Sequence, residues 1–342
     1  MKKNIIYLIL ILFSTFLNAN EKIVLQLKWF HQFQFAGYYA AKEKGFYDEV
    51  GLNVEIRQRD LKYNNIDEVI NGNAQYGVAD SILILYRLKQ QPVVIVSPIF
   101  QHSPSVFISL KKSNISSVYE LNNKDILFYP NDTDGFSLLA MIKKFDLDVN
   151  LVRERYKDDY MRLINNEVDV MPAYIANEPF LFKEKGYDVN IINPTNYGFD
   201  MYGDMLFTNE DEAKNNPIRV EKFKEATLKG WKYALENKEE IIQLIHEKYS
   251  KEKSIEHLRY EANAIDSLIN KDVTPLGYLD QGRIRYISEM YEYYGLTESK
   301  KDLNDFLFDE ISKKDKKLSL SDEEIKYLKD NPILKVHNFD SL

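Results

Sequence analysis

The stretch Lys22–Tyr47, KIVLQLKWFHQFQFAGYYAAKEKGFY, decides how the rest of the chain is read. Ile23, Leu25 and Leu27 alternate with Val24, Gln26 and Lys28, which is the period of a short strand. At its end six rings arrive close together, Trp29, Phe30, Phe33, Phe35, Tyr38 and Tyr39, interleaved with His31, Gln32 and Gln34. Gly37 opens a predicted helix, and Gly45 closes it as a glycine C-cap before the next strand. In an open α/β sheet, the end of the first strand and the start of the first helix border the ligand crevice. Flat rings beside amides and an imidazole make a clamp for a small planar heterocycle, by stacking and by edge hydrogen bonds. The competing reading is that these rings fill the core, as buried aromatics usually do. Trp29 and Tyr39 are the expected clamp.

Working outward, residues 1–19 read as a secretory signal: Lys2 and Lys3, then the apolar run Ile5–Phe13, then Leu17-Asn18-Ala19 for cleavage near Ala19. The run is shorter than the ~20 apolar residues that span a bilayer, and an uncleaved anchor is the alternative. The chain contains no cysteine, which excludes a lipid-modified N-terminus, disulfides, zinc–thiolate sites and cysteine catalysis. Its formal charge is −8, and loss of Lys2 and Lys3 makes the mature chain more acidic still. Nothing basic clusters, so nucleic acid is not an expected partner. At 44% apolar residues the chain can fill two lobes. An exported, soluble monomer in the periplasm is expected.

Two local patterns recur. Lys42-Glu43-Lys44-Gly45-Phe46 before Asn53–Ile56 is matched by Lys183-Glu184-Lys185-Gly186-Tyr187 before Asp188–Ile192. Residues 70–79, INGNAQYGVA, are matched by 164–173, INNEVDVMPA, each reading as helix, tight turn and strand. The physical reading is two α/β lobes of like construction, helices alternating with parallel strands. Lobe 1 is expected over 20–104 and again over 205–312. Its first part ends with a helix, Ser81–Lys89, and a buried strand, Pro92–Ser97; its second part is a helical layer from Pro217 to about Leu307. Lobe 2 is expected over 105–204, with strands at Phe107–Leu110 and Asp125–Tyr129 and a turn at Pro130–Gly135. Two chain crossings imply a hinged, clam-like molecule. Residues 313–342 read as a linker and the start of a second binding domain, cut short.

No nucleotide-binding glycine loop, metalloprotease helix or serine elbow is present. His246 and His257 fall on a charged helical face and read as solvated. His31 and His102 fall at strand ends facing the cleft, where a hydrogen-bonding role is expected before a catalytic one. Tyr174 ends a strand, and Asn177-Glu178-Pro179 starts the following helix. There Glu178 either suits the helix dipole or accepts from an exocyclic amine. The turn Tyr197–Asp204 needs its glycines and aspartates but not its tyrosines, which makes Tyr197, Asp200 and Tyr202 candidates for the opposite wall.

With these residues in hand, the chain resembles the periplasmic substrate-binding proteins of the thiamine-pyrimidine-precursor type, related to the yeast pyrimidine synthase. The resemblance runs from Val24 to about Phe308. It is carried by Leu27-Lys28-Trp29 through Phe35-Ala36-Gly37-Tyr38-Tyr39, by Ile99–Pro104, by Asn177-Glu178-Pro179, and by Tyr202-Gly203-Asp204 with Leu206-Phe207-Thr208. It implies an α/β, two-lobed, type II periplasmic-binding-protein fold, with mixed sheets, helices on both faces and a hinged ligand cleft. It also implies pocket roles for Trp29, Gly37 and Tyr39, and adds Gln34, Phe35 and Gln101 to the candidates beside His31 and His102. The implied function is non-catalytic binding of a small planar ligand, with a thiamine pyrimidine precursor as the candidate. Neither cofactor nor metal is expected. The partner would be an ABC permease for uptake or a membrane sensor chain for signalling. The alternative is a pyrimidine synthase that consumes His31 or His102. The synthase branch carries its histidine two residues before the glycine, where this chain has Phe35. It also has a cysteine-rich iron motif, which this chain lacks.

Overall fold

The computed structural model describes residues 21–128, 136–152, 160–297 and 303–312. The expected signal segment, the Pro130–Gly135 turn and the expected second domain lie outside them.

The first strand, β1 (Glu21–Gln26), leads through a short 3-10 turn at Phe33–Phe35 into α1 (Ala36–Glu43). Gly45, with φ +77, stops that helix in the left-handed conformation that glycine tolerates best. After α2 (Phe46–Glu49), β2 (Leu52–Arg57) returns parallel to β1 with Leu25 opposite Ile56. Asn64 caps α3 (Asn65–Ile70) by accepting from the Ile66 amide at 2.8 Å. The chain then forms β3 (Tyr76–Ala79), parallel to β1, α4 (Ile82–Leu88) and β4 (Val93–Pro98), and crosses to the second lobe.

There β5 (Ser105–Leu110) begins the second half. It is followed by β6 (Asp125–Leu127), α5 (Phe136–Lys144), β7 (Asn150–Val152), α6 (Tyr160–Ile164), β8 (Met171–Tyr174), α7 (Glu178–Glu184) and β9 (Val189–Ile192). After the return crossing, β10 (Met205–Asn209) completes a first sheet of order β2-β1-β3-β10-β4. The second lobe holds β8-β5-β9 and a β6-β7 pair.

The sheets are mixed. This is what the resemblance implies, whereas the parallel strands read from the repeated local patterns need correction, because β10 is antiparallel to β3 and β4, and β5 is antiparallel to β8 and β9. β5 and β10 are the strands that arrive directly from a crossing, with no helix to turn the chain round first. The two crossings are bonded together: the Ile99 amide donates to the Asp204 carbonyl at 2.8 Å, and the Gly203 amide to the Phe100 carbonyl at 3.1 Å. A Cβ on Gly203 would lie 2.7 Å from the His102 carbonyl, so this approach needs glycine.

The last third is helical: α8 (Glu210–Asn215), α9 (Pro217–Glu236), α10 (Lys238–Lys248), α11 (Ile255–Ile269) and α12 (Gln281–Tyr293). Pro217 sits at the first position of α9, where its missing N–H costs nothing. Val220, Phe223, Thr227, Gly230, Trp231 and Ala234 form its buried stripe against α1. The contact is close: a Cβ on Gly230 would come within 2.2 Å of the Gly37 carbonyl, and one on Gly37 within 2.1 Å of the Trp231 ring. α12 packs on α4 of the first lobe, and its Ile284, Ile287 and Tyr291 belong to an apolar cluster that holds Ile82 and Leu85 of α4 and runs on to Phe107 and Leu138 of the second lobe. Leu307 itself is not helical but bridges Ile95 on the edge of β4, with the Ile95 amide donating to the Phe306 carbonyl at 2.8 Å.

Candidate functional site

β1 and β3 are neighbouring parallel strands, so their carboxyl ends open on the same side of the sheet, beside the second lobe. Each is followed at once by a charge. Lys28 stands two residues past β1 and Asp80 one residue past β3. The Lys28 ammonium is 2% exposed and donates to an Asp80 carboxylate oxygen at 2.9 Å. It also lies 3.5 Å from Asp204, which comes from the return crossing and is buried. Its third contact is with the other lobe: it donates to the Tyr174 hydroxyl at 2.5 Å, at the end of β8. Gln34 donates its amide to the second Asp204 oxygen at 2.7 Å and accepts from the Gln32 amide. A buried lysine is held charged only by such partners.

A second set of polar contacts crosses between the lobes at the start of α11. Lys253 donates to Asn177 at 2.5 Å, to Gln32 at 2.7 Å and to the buried Glu261. The His257 Nε2 donates to the Asn177 side-chain oxygen at 2.9 Å, and its ring lies 3.3 Å from Glu184. Ser254 donates to Glu184 at 2.7 Å, and the Tyr260 hydroxyl donates to the Ile175 carbonyl at 2.9 Å. Glu261 also accepts from the Phe33 amide at 2.8 Å, which ties the aromatic stretch to α11. His257 is therefore buried between the lobes and not on a solvated face: the charged pattern of its helix belongs to this cross-lobe network. Burial and the neighbouring Lys253 push its imidazole below the usual histidine value. Burial pushes the Glu178 carboxyl up, against the Tyr174 amide that donates to it at 2.7 Å.

The sequence candidates separate into four places. Trp29 is half-buried, its ring edge-on to Phe30 at 5.3 Å and packed on the first-lobe core, while Gln34 is buried against Asp204. In the second lobe Tyr174 meets Lys28 and Asn177 meets Lys253, with Glu178 accepting from the Asn177 amide at 2.7 Å. Phe35 and Tyr39 are fully buried in the first lobe; the Tyr39 hydroxyl pairs with His31 at 2.8 Å, and its ring stacks on Tyr249 at 4.1 Å. Gln101, His102, Asp200 and Tyr202 gather along the crossings. Gln101 donates to the Tyr278 carbonyl at 2.9 Å, and His102 pairs with Asp200 at 2.8 Å. Arg283 lies 4.2 Å over the Tyr202 ring, whose hydroxyl accepts from the Asp280 amide at 2.9 Å. Tyr197 accepts from the Val118 amide at 3.2 Å, inside the second lobe.

Lys28, Asp80, Lys253, His257 and Glu261 were not among the sequence candidates. The signal for the first two was their position, a charge directly after an apolar strand. No such signal marked the other three. Among the described residues no group of three or more histidines and acidic residues is arranged to hold a metal ion, and no helix is long and apolar enough to cross a membrane.

Comparison with known proteins fits this geometry. Residues 32–241 match the family described as NMT1/THI5 like. A riboflavin-binding protein, RibY, of Chloroflexus aurantiacus is 26% identical over 236 residues, 66% of this chain and 65% of that protein. A formylaminopyrimidine-binding protein of Halalkalibacterium halodurans is 23% identical over 232 residues, 66% of this chain and 70% of that one. The matches thus span about two thirds of the length of these relatives. Among solved structures, the periplasmic aliphatic sulphonate-binding protein SsuA of Escherichia coli superposes with a TM-score of 0.63 at 13% identity, covering 85% of this chain and 98% of its own. The fold is that of the periplasmic binding proteins.

Proposed function

We infer, for a chain that belongs to the NMT1/THI5-like family, that it is a solute-binding protein whose lobes close over a small planar ligand. The observation that carries this reading is the meeting of Lys28 and Tyr174, from opposite lobes, at the carboxyl ends of parallel strands where α/β sheets take their ligands. In this reading Trp29 would stack on the ligand, and Glu178 and Asn177 would supply polar edges from the second lobe. A heteroaromatic compound of the flavin or aminopyrimidine kind, as the names of the two relatives describe for them, fits such a mixture of ring and amide groups. The lobes would hinge at residues 99–104 and 202–205, where the two crossings bond to each other.

The chain is read as an exported component that hands its ligand to an ABC permease, and not as an enzyme. The two histidines that a synthase would consume are engaged elsewhere, His31 with Tyr39 and His102 with Asp200. The test is a melting-temperature screen of the purified protein against pyrimidines, flavins, amino acids and sulfonates. At a ligand concentration of about a hundred Kd, binding stabilises the fold by about 2.7 kcal/mol, a shift of several degrees. A pyrimidine or flavin that raises the melting temperature supports the reading. A shift only with amino acids or sulfonates overturns the ligand class, and no shift with any compound overturns the function.

A further inference from the structure

Lys28 is the cation at the bottom of the crevice, and it arrives there already neutralised. Asp80 at 2.9 Å and Asp204 at 3.5 Å put two carboxylates on one ammonium. All three residues are less than a tenth exposed, so solvent screens them little. On the wall Lys253 is matched by Glu261, so in these described pairs neither ammonium is left without a carboxylate. A site for an oxyanion needs the reverse, a cation or amide N–H groups left over to meet it.

We propose that Asp80 and Asp204, by compensating Lys28, select a ligand that brings hydrogen-bond donors or positive charge into the crevice and reject one that brings an anionic group. This rests on the solute-binding reading above. Tyr174 completes the arrangement: its hydroxyl accepts from Lys28, so closure of the second lobe satisfies the lysine without any anion from the ligand. An amino group or ring N–H entering beside this cluster finds carboxylate acceptors. A sulfonate, carboxylate or phosphate entering there meets like charge in a place that water cannot screen.

The experiment is calorimetric titration of the purified protein with probes matched in shape and different in charge. The first pair is 4-amino-5-aminomethyl-2-methylpyrimidine and the corresponding 5-carboxylate. The second is riboflavin and its 5′-phosphate, and ethanesulfonate serves as a small anion. The neutral or cationic member of a pair is expected to bind at least about tenfold more tightly than its anionic partner. The preference should persist in 0.5 M salt, because the cluster is buried. D80N and D204N are expected to narrow the preference, with a melting curve on each variant to establish that it is folded. Equal or tighter binding of the anionic members overturns the charge selection and leaves the solute-binding reading standing. Saturable binding of none of the probes overturns both.

Discussion

The ammonium of Lys28 and the hydroxyl of Tyr174 lie 2.5 Å apart although one residue follows the first strand and the other ends a strand of the second lobe. That bond ties the electrostatics of the crevice to its closure. Removing Lys28 takes from the buried Asp80 and Asp204 the ammonium they share, whereas Tyr174→Phe removes one hydroxyl. Breaking a buried ion pair from one side costs about 3–5 kcal/mol. Lys28→Met is therefore expected to lose that much stability in urea unfolding, and Tyr174→Phe only about 1 kcal/mol. If Lys28→Met unfolds like the parent protein, the buried cluster is not as described.

Asn177 accepts from Lys253 and meets His257, so one side chain of the second lobe holds two groups of α11. Lys253 keeps Glu261 and Gln32 when Asn177 is lost. Asn177→Ala should therefore leave the first lobe intact and loosen closure. Small-angle scattering should report a larger radius of gyration for Asn177→Ala than for the parent protein, both without ligand. An unchanged radius with an unchanged affinity would remove this contact from the closing mechanism.

Much of the fold was legible in the sequence because its signals are local. Gly45 and Gly186, the glycines of the repeated Lys-Glu-Lys-Gly segments, both take positive φ, at +77 and +80. The alternation of Ile23, Leu25 and Leu27 and the stripe from Val220 to Ala234 each specify an element by period alone. Strand direction was less legible, since whether β5 and β10 run parallel depends on the route of the crossings and not on their residues. The site was least legible. Tyr39 reads as a clamp in sequence, yet its ring stacks on Tyr249, 210 residues further on. Lys253 and Glu261 reach the crevice only through the packing of α11, and nothing in their neighbours announces it.

Trp29 stays half-buried, as Phe46 does, while Phe33, Phe35, Tyr38 and Tyr39 go into the core and Phe30 is exposed. Loss of a stacking ring should weaken the binding of a planar ligand by about tenfold. Trp29→Ala is therefore expected to raise Kd by that factor with a modest fall in melting temperature. Trp29 also packs on the first-lobe core. A large fall in stability with affinity unchanged in the folded fraction would assign the ring to the core instead.

Two imidazoles, the half-buried His31 and the buried His257, give the protein a pH dependence of definite sign. Burial and a nearby lysine hold both His31 and His257 below 6.5. The unfolded chain then binds more protons than the folded one near that pH, so stability present above 6.5 is lost as the pH falls through the depressed values. Glu178, raised by burial above 4.5, works the other way: its contribution is full below that value and is lost as the pH rises through its raised pKa. The melting temperature is expected to fall between about pH 7.5 and 5.5, and the His31→Gln/His257→Gln double variant should flatten that slope. A double variant with the parent slope would contradict the assignment.

Close packing of α1 on α9 gives a test of the scaffold beneath the site. A methyl group on Gly230 would meet the Gly37 carbonyl at 2.2 Å and the Ala41 amide at 2.7 Å, both backbone atoms that have little room to yield. Gly230→Ala is expected to cost about 1–3 kcal/mol or more in thermal unfolding, against the gain of about 1 kcal/mol that an alanine brings at an open helix position.

The central claim is that the crevice between Lys28 and Tyr174 takes a small planar ligand, and the most direct test is equilibrium titration calorimetry of the purified chain with riboflavin and with 4-amino-5-hydroxymethyl-2-methylpyrimidine. The account predicts saturable binding at one site per chain for at least one of them, weakened in Trp29→Ala. Absence of saturable heat for both, in protein that melts cooperatively, would contradict it.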